Sequence, residues 1–325
     1  MTHRCEVLLA GATGTIGRAT AWALMADGHG VTCLVRPGGS AEGLPPGANI
    51  LRAQIDSTAA LQKAIEQGPA PEVMISCIAS RTGVKADAWA VDHDANQILL
   101  DTAKTLGVQH FVLLSAICVQ RPKLAFQQAK LAFEASLMAS GLTWTIVRPT
   151  AFFKSLSGQV ARVMAGKPFL VFGDGRLTAC KPISDRDLGR FLSQSLTDPA
   201  ARNAILPIGG PGPAITPMDQ VDGLSRLMGK PVPVKRVPLR MMDVIGGVLG
   251  VAGKVIPPLR SKAELARIGK YYASESMLVW DESRARYDAE ATPSFGEDTL
   301  FDYYADLLAG RATAERGEHA VFSDG

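Results

Sequence analysis

The sequence predicts an α/β fold built around a doubly wound parallel sheet. Two observations carry this prediction: short, continuous apolar runs recur along residues 5–150, and amphipathic helical stretches separate them. Strands that are apolar on both faces, alternating with helices, are typical of a parallel sheet, because right-handed crossovers place the helices on its two faces. The predicted strands are 6–11, 30–36, 49–55, 72–80, 108–116 and 143–149, and the predicted helices are 15–27, 57–67, 88–106 and 124–140.

The regular alternation of strand and helix patterns ends after residue 150, where Gly and Pro are more frequent and strand patterns are fewer. A helix at 182–196 and a strand at 203–212 predict that the chain returns to the sheet before leaving again. A further helix is well signalled, with Thr216 as N-cap, Pro217 at its first position and Gly229 as its stop. The sequence thus predicts a dinucleotide-binding region (1–150 with 181–212), a smaller discontinuous substrate-binding region (151–180 and 213–308) and a flexible tail (309–325).

Composition excludes several classes of protein. Hydrophobic residues make up 47% of the 325 and charged residues 20%, which is enough apolar material for a buried core. The net charge of +3, without a basic block, argues against nucleic-acid binding. The five widely spaced cysteines favour neither a disulfide framework nor a metal site, and we expect a reducing, cytosolic setting. Because a strand pattern begins close to the first residue, we expect no signal peptide.

One Gly-rich apolar stretch, 244–259, is shorter than the roughly 20 residues that a membrane-spanning helix needs, and Lys254 interrupts it. It has two interpretations. It can be a mobile lid or core segment, or it can be a surface patch that faces a hydrophobic substrate or makes a peripheral contact with a membrane.

A glycine turn follows the first strand in the sequence GATGTIG. Glycine lets the backbone bend sharply and approach a ligand closely, while the following helix offers unpaired N–H groups and a partial positive charge to phosphate. Strand, turn and helix together predict a Rossmann-type dinucleotide site. The residues expected to contact the dinucleotide here are Gly11, Thr13, Gly14, Thr15, Ile16 and Gly17.

The end of the second strand indicates which dinucleotide is bound. NAD sites place an acid there for the ribose 2′-hydroxyl, whereas this chain has Arg36, whose guanidinium suits a 2′-phosphate. The sequence therefore favours NADPH, unless Arg36 is a solvated surface residue. Asp56, after the third strand, either reaches the adenine or caps a helix. Cys77, Ile78 and Ala79, after the fourth strand, are expected beside the dinucleotide.

The architecture resembles the short-chain dehydrogenase/reductase superfamily, in which a Tyr-x-x-x-Lys pair and a preceding Ser carry proton transfer. In the matching window, FQQAK, Phe126 replaces the Tyr and Lys130 keeps the Lys, with Ser115 at the end of the fifth strand. Without a phenol at this position, alcohol or ketone chemistry is in doubt. Lys130 can still hold the nicotinamide ribose or supply a proton. Alternatively, Lys130 is an exposed lysine on a helix. Ser115, for its part, can be a strand-end residue whose hydroxyl bonds only to backbone.

Four motifs make a more specific resemblance: GATGTIGR, FVLLSAICVQRPKLAFQQAKLAFE (111–134), RPTAFFKSL (148–156) and KYYASESMLVWD (270–281). In this order they resemble the family of NADPH-dependent divinyl chlorophyllide 8-vinyl reductases. The resemblance implies reduction of a vinyl group on a magnesium tetrapyrrole of chlorophyll or bacteriochlorophyll biosynthesis. Because the magnesium arrives within the substrate, no metal site on the protein is expected.

A flat tetrapyrrole needs an apolar, aromatic slot with a cation near its propionate. Phe152, Phe153, Tyr271 and Tyr272 are candidates to line that slot, although such pairs also occur in cores. Lys154 or Arg148 is the candidate cation, and Arg148 can equally tie the sixth strand to its neighbouring loop. Two rivals remain: a non-catalytic NADP-sensing regulator or structural subunit, and an isoflavone-type phenolic ene-reductase.

Overall fold

The computed structural model describes residues 4–241 and 257–312. Most of the Gly-rich stretch 244–259 therefore lies outside the described residues, as does the predicted tail from residue 313 onward. The two interpretations of that stretch and the prediction of a flexible tail stay predictions.

A seven-stranded parallel sheet forms the centre of the molecule, as the sequence predicted. Its spatial order is β3-β2-β1-β4-β5-β6-β8, so the order reverses between β1 and β4. Ligands of such sheets bind at the carboxyl ends of the strands, where the order reverses. The seven strands are β1 (Glu6–Ala10), β2 (Gly30–Val35), β3 (Asn49–Arg52), β4 (Val73–Ser76), β5 (His110–Leu114), β6 (Thr143–Pro149) and β8 (Ala204–Ile208), and β7 (Phe169–Phe172) lies outside this sheet.

Helices connect these strands and cover both faces of the sheet. Alternation along β1 shows how this is encoded, because Leu9 packs into the core on one face and Leu8 into the core on the other. The described helices are α1 (Thr15–Ala26), α2 (Thr58–Ile65), α3 (Lys85–Ala88), α4 (Asn96–Leu106), α5 (Ala125–Met138), α6 (Phe153–Met164), α7 (Asp185–Gln194), α8 (Pro217–Met228), α9 (Pro257–Ser274) and α10 (Leu300–Leu308).

The structure differs from the predicted elements in two ways. The strands end earlier than their apolar runs, so that residues 77–80 lie beyond the end of β4 and form a loop. The predicted helix 88–106 is not uniform, because Trp89–Ala95 forms a π-helical stretch between α3 and α4. Such widened turns are frequent at functional sites, and this one contains the buried carboxylate of Asp92.

The later part of the chain adds smaller elements beside the sheet. Strand β8 pairs in parallel with β6, while β7 pairs with β9 (Val234–Val237), and β10 (Val279–Asp281) pairs with β11 (Arg286–Asp288). The predicted helix after Thr216 is confirmed as α8: the Thr216 hydroxyl accepts from the N–H of Asp219, and Gly229 ends the helix at φ +63°. The division into two binding regions stays a prediction.

Candidate active site

The glycine turn lies at the carboxyl end of β1, and each of its glycines has a different physical role. Gly11 has φ +78°, and a Cβ there would lie 2.7 Å from the carbonyl of Cys77. A Cβ on Gly17 would lie 2.1 Å from the carbonyl oxygen of Gly11, so α1 packs directly on the turn. Gly14 is exposed and open to solvent. Gly11 and Gly17 therefore build the turn, and the exposed Gly14 leaves room for a ligand.

The N-terminus of α1 points out of this turn with its backbone N–H groups available. Gly14 is the N-cap and has no side chain to accept from them, and the first turn carries no acid. These features fit the pyrophosphate of a dinucleotide. Thr13 and Thr15 are half-buried beside Gly14, whereas Ile16 is buried in the core under α1. The structure thus brings the predicted residues of the turn together around one cradle.

Lys154 adds a cation to this cradle. Its Nζ donates to the hydroxyl of Thr15 at 2.9 Å, reaching from the first turn of α6 to the first residue of α1. This places the ammonium group beside the glycine turn. A contact of Lys154 with the substrate carboxylate stays a prediction.

Arginines gather where β2 and β3 end. Arg36 follows β2 directly and is exposed, and Arg52 ends β3 with its guanidinium donating to the carbonyl of Gly39 at 2.8 Å. Arg18 of α1 lies against the loop at Gly43, and its buried Nε has no hydrogen-bond partner. Three guanidinium groups on neighbouring elements suit an anion such as a ribose 2′-phosphate. Sequence reasoning found Arg36 and missed the other two.

The loop after β4 also lies where it was expected. Cys77 and Ile78 are half-buried and pack on Gly11, and Ala79 is exposed. Burial raises the pKa of the Cys77 thiol to about 12, so it is neutral at physiological pH. Asp56 is exposed at the end of the β3 loop, and it is Ser57 that caps α2. The capping alternative for Asp56 is therefore wrong, and its contact with adenine stays a prediction.

Lys130 forms a buried ion pair that sequence reasoning did not foresee. Its Nζ lies 2.9 Å from Oδ1 of Asp92, the side chain of Lys130 is 11% exposed, and that of Asp92 is fully buried. The hydroxyl of Ser80 donates to the other carboxylate oxygen at 2.6 Å. The carboxylate thus orients the ammonium group at the carboxyl end of the sheet. Lys130 is not an exposed helix lysine.

Ser115 takes part in a separate buried network. Its hydroxyl donates to Glu134 of α5, and Arg148 of β6 forms an ion pair with the same carboxylate. Glu134 is 1% exposed, so this cluster joins β5, α5 and β6 inside the protein. The hydroxyl of Ser115 is therefore directed at Glu134, and the guanidinium of Arg148 is paired with the same carboxylate. A catalytic role for Ser115 stays a prediction.

The four aromatic candidates for the substrate slot are placed very differently. Tyr271 is buried, and its hydroxyl donates to the carbonyl of Cys118 at 2.9 Å. Phe153 is buried in the core between α6 and α10. Phe152 is half-buried, and Tyr272 is 43% exposed. Tyr272 and Phe152 are thus the two rings of this set that a substrate can reach without rearrangement.

A charged cluster fixes the end of α9 against the segment after β5. Glu275 is buried, forms an ion pair with Arg121 at 2.8 Å, and accepts from Lys123 and from the hydroxyl of Tyr287. Burial raises the pKa of Glu275, but the bonds from Lys123 and Tyr287 outweigh burial, so the pKa lies below its usual value. The guanidinium of Arg121 also lies 4.0 Å from the centre of the Trp280 ring.

Asp92, Glu134 and Glu275 are the acids that sequence reasoning missed. For Asp92 and Glu134 the sequence did contain a signal, because an acid in an otherwise apolar helical window is a candidate for a buried ion pair. All five cysteines are free. Within 4–241 and 257–312, no helix is long and apolar enough to cross a membrane, and no three potential ligand side chains are grouped as a metal site would require.

Comparison with known families and structures agrees with this site. Residues 11–199 match the NAD(P)H-binding family. Among solved structures, the NADPH complex of the quinone oxidoreductase QOR2 from Escherichia coli has a TM-score of 0.67 at 17% identity, covering 93% of this chain and 99% of that one. The NADPH complex of leucoanthocyanidin reductase from Vitis vinifera has the same TM-score and identity, covering 94% and 99%. At this identity the two structures show the fold alone.

A much closer sequence relative is divinyl chlorophyllide a 8-vinyl-reductase, chloroplastic, of Cucumis sativus. It is 44% identical over 333 aligned residues, which cover 98% of this chain and 80% of the relative. The alignment includes both the sheet and the smaller elements beside it.

Proposed function

The chain belongs to the divinyl chlorophyllide a 8-vinyl-reductase family, and we propose that it reduces the 8-vinyl group of a divinyl chlorophyllide to ethyl with NADPH. The observation that carries this proposal is the 44% identity to the cucumber reductase over 98% of the chain. A vinyl group conjugated to the macrocycle suits a site without the superfamily tyrosine, since the tetrapyrrole can accept charge when hydride adds. Divinyl protochlorophyllide is the alternative substrate of the same class.

The residues of the glycine turn fit NADPH. When bound, NADPH supplies a hydride and leaves as NADP⁺. The N–H groups at the start of α1 bind the pyrophosphate, with the ammonium of Lys154 beside them. Arg36 and Arg52 bind the 2′-phosphate, and Cys77 to Ala79 border the nicotinamide half.

Lys130 holds the nicotinamide ribose and contributes positive charge beside the reacting vinyl group. Its ion pair with Asp92 fixes the direction of the ammonium group, so the charge needs no reorganisation during the reaction. As charge develops on the macrocycle after hydride addition, this cation stabilises it, and a proton then reaches the inner vinyl carbon.

The substrate lies over the carboxyl ends of β4 and β5, against the exposed ring of Tyr272 and the half-buried ring of Phe152. The magnesium is part of the substrate and needs no ligand from the protein. A peripheral contact with a membrane through 244–259 belongs to this proposal as well, because the pigment itself is hydrophobic.

Purified protein tests the proposal directly. With NADPH and divinyl chlorophyllide, we expect a blue shift of the Soret band, and the amount of NADPH oxidised should equal the amount of pigment converted. Mass spectrometry then identifies the ethyl product. A pigment spectrum that stays unchanged while NADPH binds would contradict the proposal and favour the NADP-sensing regulator. Turnover of a phenolic enone in competition with the pigment would favour the phenolic ene-reductase.

A further inference from the structure

An open cavity of about 430 Å³ lies between the start of α3 and the helix α9. The residues that line it are Val84, Lys85, Ala86, Trp89, Ser261 and Glu264. Its volume falls within the range of about 300–1,000 Å³ that small-molecule sites occupy. The residues expected to contact the dinucleotide are not among these six, so the cavity is separate from the cofactor cradle.

The loop after β4 leads from the cofactor cradle to this cavity. At the start of the loop, Cys77 packs on the glycine turn. Further along, the N–H and the hydroxyl of Ser80 donate to the carboxylate of Asp92, which is the partner of Lys130. The loop ends at Val84, which is the N-cap of α3 and part of the cavity wall. A ligand in the cavity therefore lies next to the loop that borders the Lys130 ion pair.

The wall that α9 contributes belongs to the helix face that carries Tyr272. Glu264, Ile268 and Tyr272 are spaced four residues apart, so they lie along one face of the helix. A Cβ on Gly83 would lie 3.1 Å from Cδ1 of Ile268, so this face packs directly on the loop after β4. Eight residues of helix span about 12 Å, a length that a flat macrocycle can cover. The cavity and the exposed ring of Tyr272 thus lie on one side of α9.

Trp89 provides the aromatic wall of the cavity. It is half-buried and packs against the cluster of buried residues that contains Tyr271. The ring of His93 also packs against the indole, with the two centroids 5.2 Å apart at 53°. An indole held in this way suits a flat, conjugated ligand. Trp89 and Asp92 belong to the same π-helical stretch, which therefore presents both the aromatic wall and the partner of Lys130.

The cavity wall contains one cation and one anion. Glu264 accepts from the backbone N–H of Lys85 at 2.8 Å, so its carboxylate is bonded to the start of α3. Lys85 itself is exposed, and its ammonium group is the charge in this wall that suits a carboxylate on a ligand. The two cations predicted from the sequence lie at other elements, since Lys154 is hydrogen-bonded to α1 and Arg148 is ion-paired with α5.

We propose that this cavity binds the tetrapyrrole, with one face of the macrocycle on Trp89 and its propionate paired with Lys85. This inference rests on the proposed function. The macrocycle extends along α9 to Tyr272, and its reacting edge lies over the loop that borders the Lys130 ion pair. The site thus favours a pigment with a free carboxylate over an esterified pigment, because an ester has no charge to pair with the ammonium group.

The first test compares the free acid of the divinyl pigment with its methyl ester. We expect Lys85→Met to raise KM for the free acid by about 3-fold to 10-fold, as for an exposed ion pair, and to leave KM for the ester unchanged. A merely structural role would change both values alike. Lys104→Met, which removes an exposed lysine from α4, is the control for net charge and should change neither. If Lys85→Met keeps the wild-type ratio of the two KM values, the inference fails and the proposed function stands.

The second test fills the cavity and needs no turnover. Ala86 is exposed in the cavity wall, so Ala86→Trp should weaken binding of the ethyl product chlorophyllide about 10-fold or more and leave the affinity for NADPH unchanged. Ala135→Trp, at an exposed position on α5, is the matched control and should bind the pigment like the wild type. Titration of the pigment absorbance measures each affinity.

Weakened binding by Ala86→Trp alone would support the cavity even if the wild type reduced no pigment. Equal binding by Ala86→Trp and the wild type would overturn it, whether or not the wild type is active. A wild type that binds no pigment would overturn both the cavity and the proposed function.

Discussion

At the scale of single residues, the proposed preference for NADPH over NADH rests on Arg36. The guanidinium follows β2 at the surface, next to Arg52 at the end of β3, because Val35 and Arg52 are paired in the sheet. A 2′-phosphate bound there gains charge-assisted hydrogen bonds, while a 2′-hydroxyl does not. The proposed preference for NADPH therefore rests on two side chains where β2 and β3 end.

We expect Arg36→Asp to weaken NADPH binding by about 10-fold to 100-fold, the equivalent of one or two charge-assisted hydrogen bonds, and to leave NADH binding nearly unchanged. Titration of intrinsic or nicotinamide fluorescence measures both constants. Arg226→Asp, which changes an exposed arginine on α8, is the matched control for net charge. Equal losses for the two dinucleotides would remove Arg36 from the 2′-phosphate site.

Substitutions at Lys130 and Asp92 can separate an effect on stability from an effect on activity. Lys130→Ala should lower kcat at least 100-fold, and it should reduce the free energy of unfolding by about 3 kcal/mol because the buried Asp92 loses its partner. Adding Asp92→Asn removes the unpaired charge, so the double variant should recover much of the stability and none of the activity. Urea unfolding and steady-state kinetics check the two effects. Near-normal turnover by Lys130→Ala would exclude it from the site.

At the scale of elements, the position of the cofactor cradle depends on how closely α1 and α7 pack. A Cβ on Gly189 of α7 would lie 2.6 Å from the backbone carbonyl carbon of Ala19 on α1. Since α1 begins at the glycine turn, any displacement of the helix moves its free N–H groups. We therefore expect the packing at Gly189 to influence the geometry of the glycine turn.

We expect Gly189→Ala to destabilise the protein by about 1–3 kcal/mol through overpacking and to weaken NADPH binding. Gly158→Ala is a matched control on α6, where a Cβ would have no neighbour within 4 Å. There the same substitution should stabilise by up to about 1 kcal/mol, because alanine favours a helix. Thermal unfolding with and without NADPH measures both variants, and a destabilised Gly158→Ala would contradict the packing argument.

The elements show what local sequence can and cannot predict. The strand of the glycine turn, the helix after it and the capped helix α8 were predictable because their signals lie within a few consecutive residues. The π-helical stretch Trp89–Ala95 was not, since its apolar spacing resembles that of an ordinary helix. The partners of Asp92 and Glu134 were equally hidden, because periodicity gives the buried face of a helix and not the side chain it meets on a distant element.

At the scale of the whole molecule, the parallel sheet makes a buried histidine a determinant of stability. His110 begins β5, is 8% exposed, and is hydrogen-bonded through Nε2 to the hydroxyl of Thr145 at 2.8 Å. Burial and, to a smaller extent, the charge of Arg202 lower the pKa of His110 to about 4. The folded protein therefore keeps this imidazole neutral at a pH where an unfolded chain would protonate it.

The unfolded state then binds more protons than the folded state between about pH 6.5 and pH 4, so the free energy of unfolding should fall as pH decreases through that window. The total loss from this one group is about 3 kcal/mol. His110→Gln retains an amide that can bond Thr145 and removes the titration, so its stability should vary less over the same range. Urea unfolding at pH steps from 7 to 4.5 gives the difference in the free energy of unfolding between the two proteins. This pH range avoids most carboxylate protonation. Parallel pH curves for the wild type and His110→Gln would show that the imidazole titrates alike in both states and would refute its desolvation in the sheet.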